Sequence, residues 1–271
     1  MPEKPTYISQ SQLTTYISCS AHYLFRYICD IRIPPRAIMA QGSAVHYSLA
    51  EGYKHVMSEH ELPPIDYMIG NFETDFSFRM ESEVELTKKD EKPGKLKDEG
   101  ITLLSKYYIE KMPSVKPTAA ELKFEVNFKN KDFSLLGFID LIDDGWIVDH
   151  KVVGQFRKAE LENNQQLSAY SFGYRELFGK AEKGLRFDFL IRGKNPRIES
   201  VKTKRTMADH KRFLTNVAYI KQAIDTGQFF CFHHPANTWI CSKDWCAYEE
   251  RGLHKELYKL GVNKFIEKYG G

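Results

Sequence analysis

The stretch Leu136–Val153, LGFIDLIDDGWIVDHKVV, decides how the rest of the chain is read. Apolar residues at Phe138, Leu141 and Ile142, then at Trp146, Ile147 and Val148, predict two strands, and Asp144-Gly145 predicts the turn between them. Asp-Gly is the strongest short hairpin signal, because a type I′ turn needs positive φ at both central residues. If these two residues alone form the loop, Asp143 pairs with Trp146 and Asp140 with Asp149. The two carboxylates then face each other with Cβ atoms roughly 5 Å apart, and the two-residue period puts Lys151 on the face of Asp149.

Like charges directly opposite each other destabilise a sheet, and apolar neighbours limit screening. A divalent cation between the carboxylates reverses the sign of the interaction. Hard cations such as Mg²⁺ take oxygen ligands and keep waters for substrate phosphates. For D-x(8)-D-x-K by itself, a solvated hairpin face with three ordinary charges is the competing reading.

Composition bounds the choice. With 42% hydrophobic and 13% aromatic residues, the 271-residue chain can build a substantial core. A net charge of +3 and pI ≈ 8.4 are mild, so any nucleic-acid footprint has to be local. No apolar run is long enough to span a membrane, and the polar start MPEKPTYISQSQ lacks the apolar core of a signal peptide. Five cysteines, an odd number, fit a reducing compartment better than a disulfide framework. A cytoplasmic protein is the expectation.

Working outward, Ala120–Phe128 alternates strictly, with Leu122, Phe124, Val126 and Phe128 on one face and Glu121, Lys123, Glu125 and Asn127 on the other. This predicts a half-buried strand. Asn130-Lys131 turns it into Asp132–Ile142, and Trp146–Val152 completes an antiparallel meander. Before Pro113 and Pro117 the texture is helical: Ser9–Asp30, capped by Ser9 or Ser11, then Ile38–His55, Pro63–Phe78 and Asp98–Lys111, with charged Glu81–Lys97 as an exposed helix end and loop. The second helix carries Gly42-Ser-Ala-Val-His46, whose small residues suit close approach to another backbone. After the hairpin come a helix over Glu160–Phe178 with Gln166 and Tyr170 on one face, a central apolar strand over Leu185–Arg192, a polar strand over Arg197–Lys204 and a helix over Met207–Thr226. The tail from Gln228 holds Cys231, Cys241 and Cys246, with Trp239 and Trp245 among them. The whole reads as one domain: a mainly helical part over 1–112, an αβ core over 113–227 and a Cys/Trp-containing tail over 228–271.

In this order, the helix with GSAVH, the strand with Glu121, GFIDLI, IVDHK and the helix with QQLSAY resemble the PD-(D/E)XK nuclease superfamily, in its RecB-like and phage exonuclease branch. CRISPR-associated RecB-like exonucleases belong to that branch. SQSQLTTYISCSAHYLFRY is similar to the family's opening helix. The resemblance covers most of the chain and rests on the order of the elements, each weak alone. It implies an α/β, restriction-endonuclease-like mixed sheet flanked by helices. Asp140 and Asp149 would be metal ligands, joined by the backbone carbonyl of His150 and by His46, whose nitrogen favours Mn²⁺ over Mg²⁺. Glu121 is similar to a carboxylate serving a second metal. Lys151 would sit by the attacking water and scissile phosphate, and Gln166 and Tyr170 would orient that lysine or the DNA backbone. One or two ions are both compatible with these residues.

The resemblance makes DNA the substrate, and Arg192, Lys194, Arg197, Lys202, Lys204 and Arg205 form a basic stretch suited to phosphate contacts. A basic edge kept against aggregation reads equally well from these residues. A metal-dependent exonuclease of DNA end processing, recombination or phage metabolism, in a bacterial or phage-infected cell, is the implied activity. A structure-specific endonuclease of the same fold and an inactive DNA-binding relative are the alternatives. A recombination or single-strand-binding protein would be a partner in such a role.

Several RecB-like relatives hold an iron–sulfur cluster through one cysteine in the first helix and three near the C-terminus. Cys19 matches the first position, and Cys241 and Cys246 resemble part of the second set. The next expected cysteine is absent from CAYEERGLH, so Cys231 would have to supply the fourth thiolate. A remnant that only packs the two ends of the chain together, and a zinc site, are the other readings.

Overall fold

A computed structural model of the chain describes residues 6–86, 92–128, 132–156, 164–231, 241 and 246–270. Its elements run β1 (Tyr7–Ser9), α1 (Gln10–Ser18), α2 (Ser20–Tyr23), α3 (Ala37–Glu59), α4 (Ile65–Ser82), α5 (Pro93–Glu110), β2 (Pro117–Asn127), β3 (Ser134–Asp143), β4 (Trp146–Val153), α6 (Gln165–Phe178), β5 (Gly184–Ile191), β6 (Arg197–Thr203), α7 (Met207–Asp225), α8 (Ala247–Glu250), α9 (Leu253–Leu260) and α10 (Val262–Tyr269). The predicted Asn130-Lys131 turn, the first residues of the predicted Glu160–Phe178 helix, Trp239 and Trp245 lie outside the described residues. Two compact units result: Met1–Ile33 with Glu125–Leu136 and Lys211–Gly271, and Pro34–Phe124 with Gly137–His210.

The second unit holds the hairpin. Asp144 and Gly145 have φ of 45° and 81°, the pair of positive values a type I′ turn requires. The register is the one counted from it: Asp143 opposite Trp146, Ile142 opposite Ile147 and Leu141 opposite Val148. β4 then pairs in parallel with β5, from Trp146 opposite Gly184 to Val153 opposite Ile191. A parallel neighbour needs a crossover, and the segment carrying α6 supplies it. β5 is flanked on its other side by antiparallel β6, and β2 pairs with β3. The sheet is therefore mixed, with helices packed on it.

One face of this sheet is covered by α3, α4 and α5. Ala40, Ala44, Leu49, Phe72, Leu103 and Leu104 from these helices form a buried core with Leu141, Val148 and Leu190 of the strands. On the other face, α6 is seated by an aromatic ring. A Cβ at Gly137 of β3 or at Gly173 of α6 would overlap the Phe124 ring of β2, so both positions admit only glycine while that ring stays between them. Gly42 differs from its sequence reading. A Cβ there would meet nothing within 4 Å, so it packs against no other backbone and lies beside open space.

In the first unit, β1 pairs in parallel with the start of β3, Tyr7 opposite Ser134. Ser9 caps α1 through a reciprocal capping box with Gln12. The predicted single helix over Ser9–Asp30 is broken at Cys19, whose φ of −164° and ψ of 109° are extended. The segment after α7 causes the break. The Phe230 carbonyl accepts from the Ala21 N–H at 3.1 Å and from the Ser20 hydroxyl at 2.9 Å. Helix resumes as α2 and ends in a π-helical turn over Leu24–Ile28.

Candidate active site

Period-two alternation along β4 sorts its side chains into two environments. Val148 and His150 point toward α3 and α5, while Asp149 and Lys151 point toward α6. Asp149 is fully buried, and its Oδ1 accepts no hydrogen bond. Lys151 Nζ lies 2.8 Å from Asp149 Oδ2 and donates to Gln166 Oε1 at 2.8 Å. The Gln166 amide donates in turn to the Tyr170 hydroxyl at 2.7 Å. Asn164 caps α6 by accepting from the Leu167 N–H, which fixes the turn on which Gln166 sits. Tyr170 is held edge-on against Phe124, with ring centroids 6.2 Å apart.

Asp140 sits between two histidines. Its Oδ2 accepts from the His150 backbone N–H at 2.9 Å and lies 3.2 Å from His46 Nδ1 and 3.7 Å from His150 Nδ1. His46 is brought there by α3. Glu121 shares a cavity of about 500 Å³ with His46, Asp140, Lys54 and Arg79, and Gly42 and Ser43 also line it. Glu121 has φ of 49°, a left-handed conformation inside a strand. Such a backbone costs on the order of 1–3 kcal/mol and occurs where the surroundings enforce it, functional sites above all.

The electrostatics follow from burial and like charge. Burial, then the Asp140 charge, pushes the Asp149 carboxyl up to about 6. Burial also raises the Asp140 carboxyl, but the His46 charge and the bonds to His150 and His46 outweigh it, and the net result is well below the usual carboxylate range. Burial lowers His46, and the Asp140 charge more than restores it, so the imidazole is raised. Glu121 is raised by burial and by Asp140.

These residues fit a divalent ion. A fully buried carboxylate with one oxygen unpartnered, next to a second buried carboxylate, is only partly compensated by the single Lys151 ammonium, and a divalent ion would complete the balance. The set is mainly oxygen with one nitrogen, the chemistry of Mg²⁺ and Mn²⁺ sites.

The sequence did not point to a second buried network. His150 Nε2 lies 3.1 Å from the hydroxyls of both Tyr53 and Tyr107. Tyr107 donates to Asp188 at 3.0 Å, and Asp188 is bonded by Arg186 and by Ser200 at 2.6 Å. Arg186 also reaches Asp143 at 3.0 Å. Burial raises both tyrosine hydroxyls well above their ordinary values, which keeps them as donors. Lys54 and Arg79 were missed as well. Lys54 was within reach, because Ala50 and Lys54 follow His46 at intervals of four along α3 and share its face.

The basic stretch divides. Lys204 is exposed, and Lys202 Nζ lies over the Trp146 ring at 4.8 Å. Arg205 is a correction to the phosphate-binding expectation. It is buried, and its guanidinium donates to the Ser168 hydroxyl and to the carbonyls of Asn164 and Lys204, clamping the start of α6. Arg192 and Arg197 face Glu99 and Glu199.

Among the cysteines, Cys19 and Cys231 are buried near His254. Cys241 Sγ lies 3.8 Å from Cys231 Sγ. Cys246 Sγ lies 3.1 Å from His22 Nε2. No cysteine is in a disulfide. The two histidines were not part of the sequence reading.

The model of the PD-(D/E)XK nuclease superfamily matches residues 7–251, which include every residue of the acidic centre. The chain therefore belongs to the PD-(D/E)XK nuclease superfamily. Members typically use divalent ions such as Mg²⁺ or Mn²⁺. Among solved structures, a Eubacterium rectale protein described as a "Putative exonuclease" is similar in fold, with a TM-score of 0.55 at 13% identity over 82% of this chain and 79% of that one. SSO0001, also 13% identical, reaches a TM-score of 0.34 over 77% of this chain and 95% of its own. No curated protein sequence matches the chain. Among the described residues, no helix is long and apolar enough to cross a membrane.

Proposed function

We propose that the chain is a divalent-metal-dependent deoxyribonuclease that degrades linear DNA from its ends. The observation that carries this reading is Asp149, a fully buried carboxylate whose Oδ1 accepts no hydrogen bond, with the Lys151 ammonium on its Oδ2 and Asp140 on the neighbouring strand. Asp140, Asp149, the His150 carbonyl and His46 would hold one Mg²⁺ or Mn²⁺, and Glu121 a second. When bound, such an ion supplies hydroxide at neutral pH and offsets charge that builds on the phosphorus. Lys151 brings its ammonium to the same edge and adds positive charge where the phosphate becomes more negative. Gln166 accepts from Lys151 and is itself donor to Tyr170, so the two residues fix the ammonium's direction. Lys202 and Lys204, on β6 and just after it, would contact the DNA backbone, as would Lys54 in the cavity, whereas Arg79 is held by Asp75 and Glu83.

The end-directed mode rests on the RecB-like and phage exonuclease resemblance of the motifs. The "Putative exonuclease" description of the Eubacterium rectale structure points the same way. End processing, recombination or phage DNA metabolism is the setting that such an activity serves, and a recombination or single-strand-binding protein would be its partner.

The test uses end-labelled linear DNA beside a closed circle, with Mg²⁺, Mn²⁺ or chelator, for wild type and Asp140→Ala. Metal-dependent loss of the linear substrate alone, abolished by the substitution, is the expected result, and the label reports polarity. Cleavage of the circle would replace the exonuclease with an endonuclease of the same site. No cleavage with any metal would leave a DNA-binding role.

A further inference from the structure

The first unit gathers a second group of metal-ligating side chains that the nuclease chemistry does not use. Four segments distant in sequence meet there. Cys19 sits at the extended break between α1 and α2. Cys231 follows α7, and the backbone just before it is tied to that break, with the Phe230 N–H donating to the Ser20 hydroxyl at 2.9 Å. Cys241 brings its sulfur to 3.8 Å from Cys231 Sγ. His254, on the first turn of α9 and 1% exposed, puts Nδ1 3.7 Å from Cys231 Sγ. The α9 helix is latched to the same place, because the Tyr258 hydroxyl donates to the Cys231 carbonyl at 3.0 Å.

We propose that Cys19, Cys231, Cys241 and His254 bind one zinc ion, which staples the N-terminal helices to the C-terminal helices of the first unit. The distances discriminate between metal centres. With Zn–S near 2.3 Å and Zn–N near 2.0–2.1 Å, a tetrahedral site has S···S edges of about 3.8 Å and S···N edges of about 3.5 Å. The Cys231–Cys241 sulfur–sulfur edge is 3.8 Å and the Cys231–His254 sulfur–nitrogen edge 3.7 Å, so Cys231 has this spacing to two of its partners. Ligand atoms of Cys19, Cys231 and His254 all lie within 4.8 Å of one another. In a four-iron cluster each thiolate binds a different iron, which holds the sulfurs out of mutual contact.

The fourth thiol that a four-thiolate cluster would need, Cys246, groups with His22 and His254 rather than with Cys19 and Cys231. Cys246 Sγ caps α8 by accepting from the Glu249 N–H and lies 3.1 Å from His22 Nε2. Cys246 thus stands outside the group around Cys231, and a three-thiolate, one-imidazole ion site fits that group better than a four-thiolate cluster. Glu249 lies 3.1 Å from His254 Nδ1 with its side chain 28% exposed, so it can turn to water when that nitrogen takes the ion.

The experiment is elemental analysis of the full chain purified without added metal, with acid-labile sulfide and visible absorption measured on the same sample. About one zinc per chain, no sulfide and no visible band are expected. His254→Ala should lower bound zinc at least several-fold. His254→Cys should retain it, which separates lost ligation from misfolding, and His22→Ala should also retain it. Cobalt(II) exchanged into the wild type should give the intense visible bands of a tetrahedral thiolate site, and His254→Ala should lose them. Iron with sulfide, a Cys231–Cys241 disulfide in intact-mass measurement, no bound metal, or zinc unchanged in His254→Ala would each overturn the proposal. None of these readouts depends on nuclease activity.

Discussion

The two polar centres of this molecule use opposite ligand chemistry and are assembled in opposite ways. The centre of the second unit offers carboxylate oxygens and one imidazole, mostly from adjacent strands. The group in the first unit offers sulfurs and imidazoles from helix ends and the segments beyond them. Hard oxygen donors suit Mg²⁺ or Mn²⁺, and thiolates suit zinc or iron. In the first case register does much of the positioning: the Asp144-Gly145 turn sets the pairs from Asp143–Trp146 to Leu141–Val148, Asp140 and Asp149 come next on the two strands, and Asp140 accepts there from the His150 N–H. In the second case nothing local brings Cys19 to His254, and the meeting depends on contacts more than 200 residues apart in sequence, such as Ser20 with Phe230.

If the acidic centre exists for an ion, its own residues should be poor for stability and necessary for chemistry. Asp149→Asn is the strongest test. It replaces the buried carboxylate with a neutral isostere, which lowers the cost of burial and also removes the charge partner of Lys151. Nuclease activity should fall by about 10²–10³-fold or more, the range seen on removing one group that stabilises transition-state charge. The thermal unfolding temperature of metal-free protein should change little, because the burial cost and the ion pair with the partly exposed Lys151 are lost together. A falling unfolding temperature with activity retained would make Asp149 an ordinary core residue.

The two centres share no residue, so their metals should be separable. Mn²⁺ at about 100 times its dissociation constant should stabilise the chain by about 2.7 kcal/mol. The increment should persist in His254→Ala and vanish in Asp149→Asn, read by calorimetry. Loss of the increment in both variants would mean that the centres are not independent.

How much of this was readable differs between the units for the same reason. The hairpin, its register and the place of Lys151 follow from a two-residue turn and a two-residue period. His46 and Tyr170 were found through motif order, and their geometry agrees with helical spacing. The Cys19 break was not readable, because its cause is the Phe230 carbonyl, and the sequence around Cys19 carries a continuous helical stripe. His254 offered no local signal beyond an amphipathic turn. His150 shows a subtler limit. Only its backbone was legible from the motif, whereas its side chain joins Tyr53, Tyr107 and Asp188, whose pairing across the fold no spacing rule predicts.

The strand-built centre also depends on how α6 is seated, and one glycine isolates that dependence. A Cβ at Gly173 would overlap the Phe124 ring, which also covers Gly137. Overpacking of this kind costs about 1–3 kcal/mol. Because α6 carries Gln166 and Tyr170, Gly173→Ala should also loosen the Lys151–Gln166 bond and lower kcat more than it raises KM. Equal activity with lower stability would show that the ammonium is positioned by Asp149 alone.

The smallest effect has the opposite sign and tests what the open side of the cavity is for. Gly42 lies inside α3, where glycine costs about 0.5–1 kcal/mol relative to alanine. A Cβ there meets nothing within 4 Å, so Gly42→Ala should raise the unfolding temperature by that small amount. Nothing in packing explains why a helix would keep glycine at such a position, while its place on the cavity with His46 and Asp140 gives a reason. If the space admits a DNA backbone, larger side chains at 42 should leave stability intact and progressively weaken DNA binding, measured by titration with the Asp140→Ala protein to prevent cleavage. Undiminished affinity with leucine at that position would remove the cavity from the DNA path and leave Lys202 and Lys204 as its remaining markers.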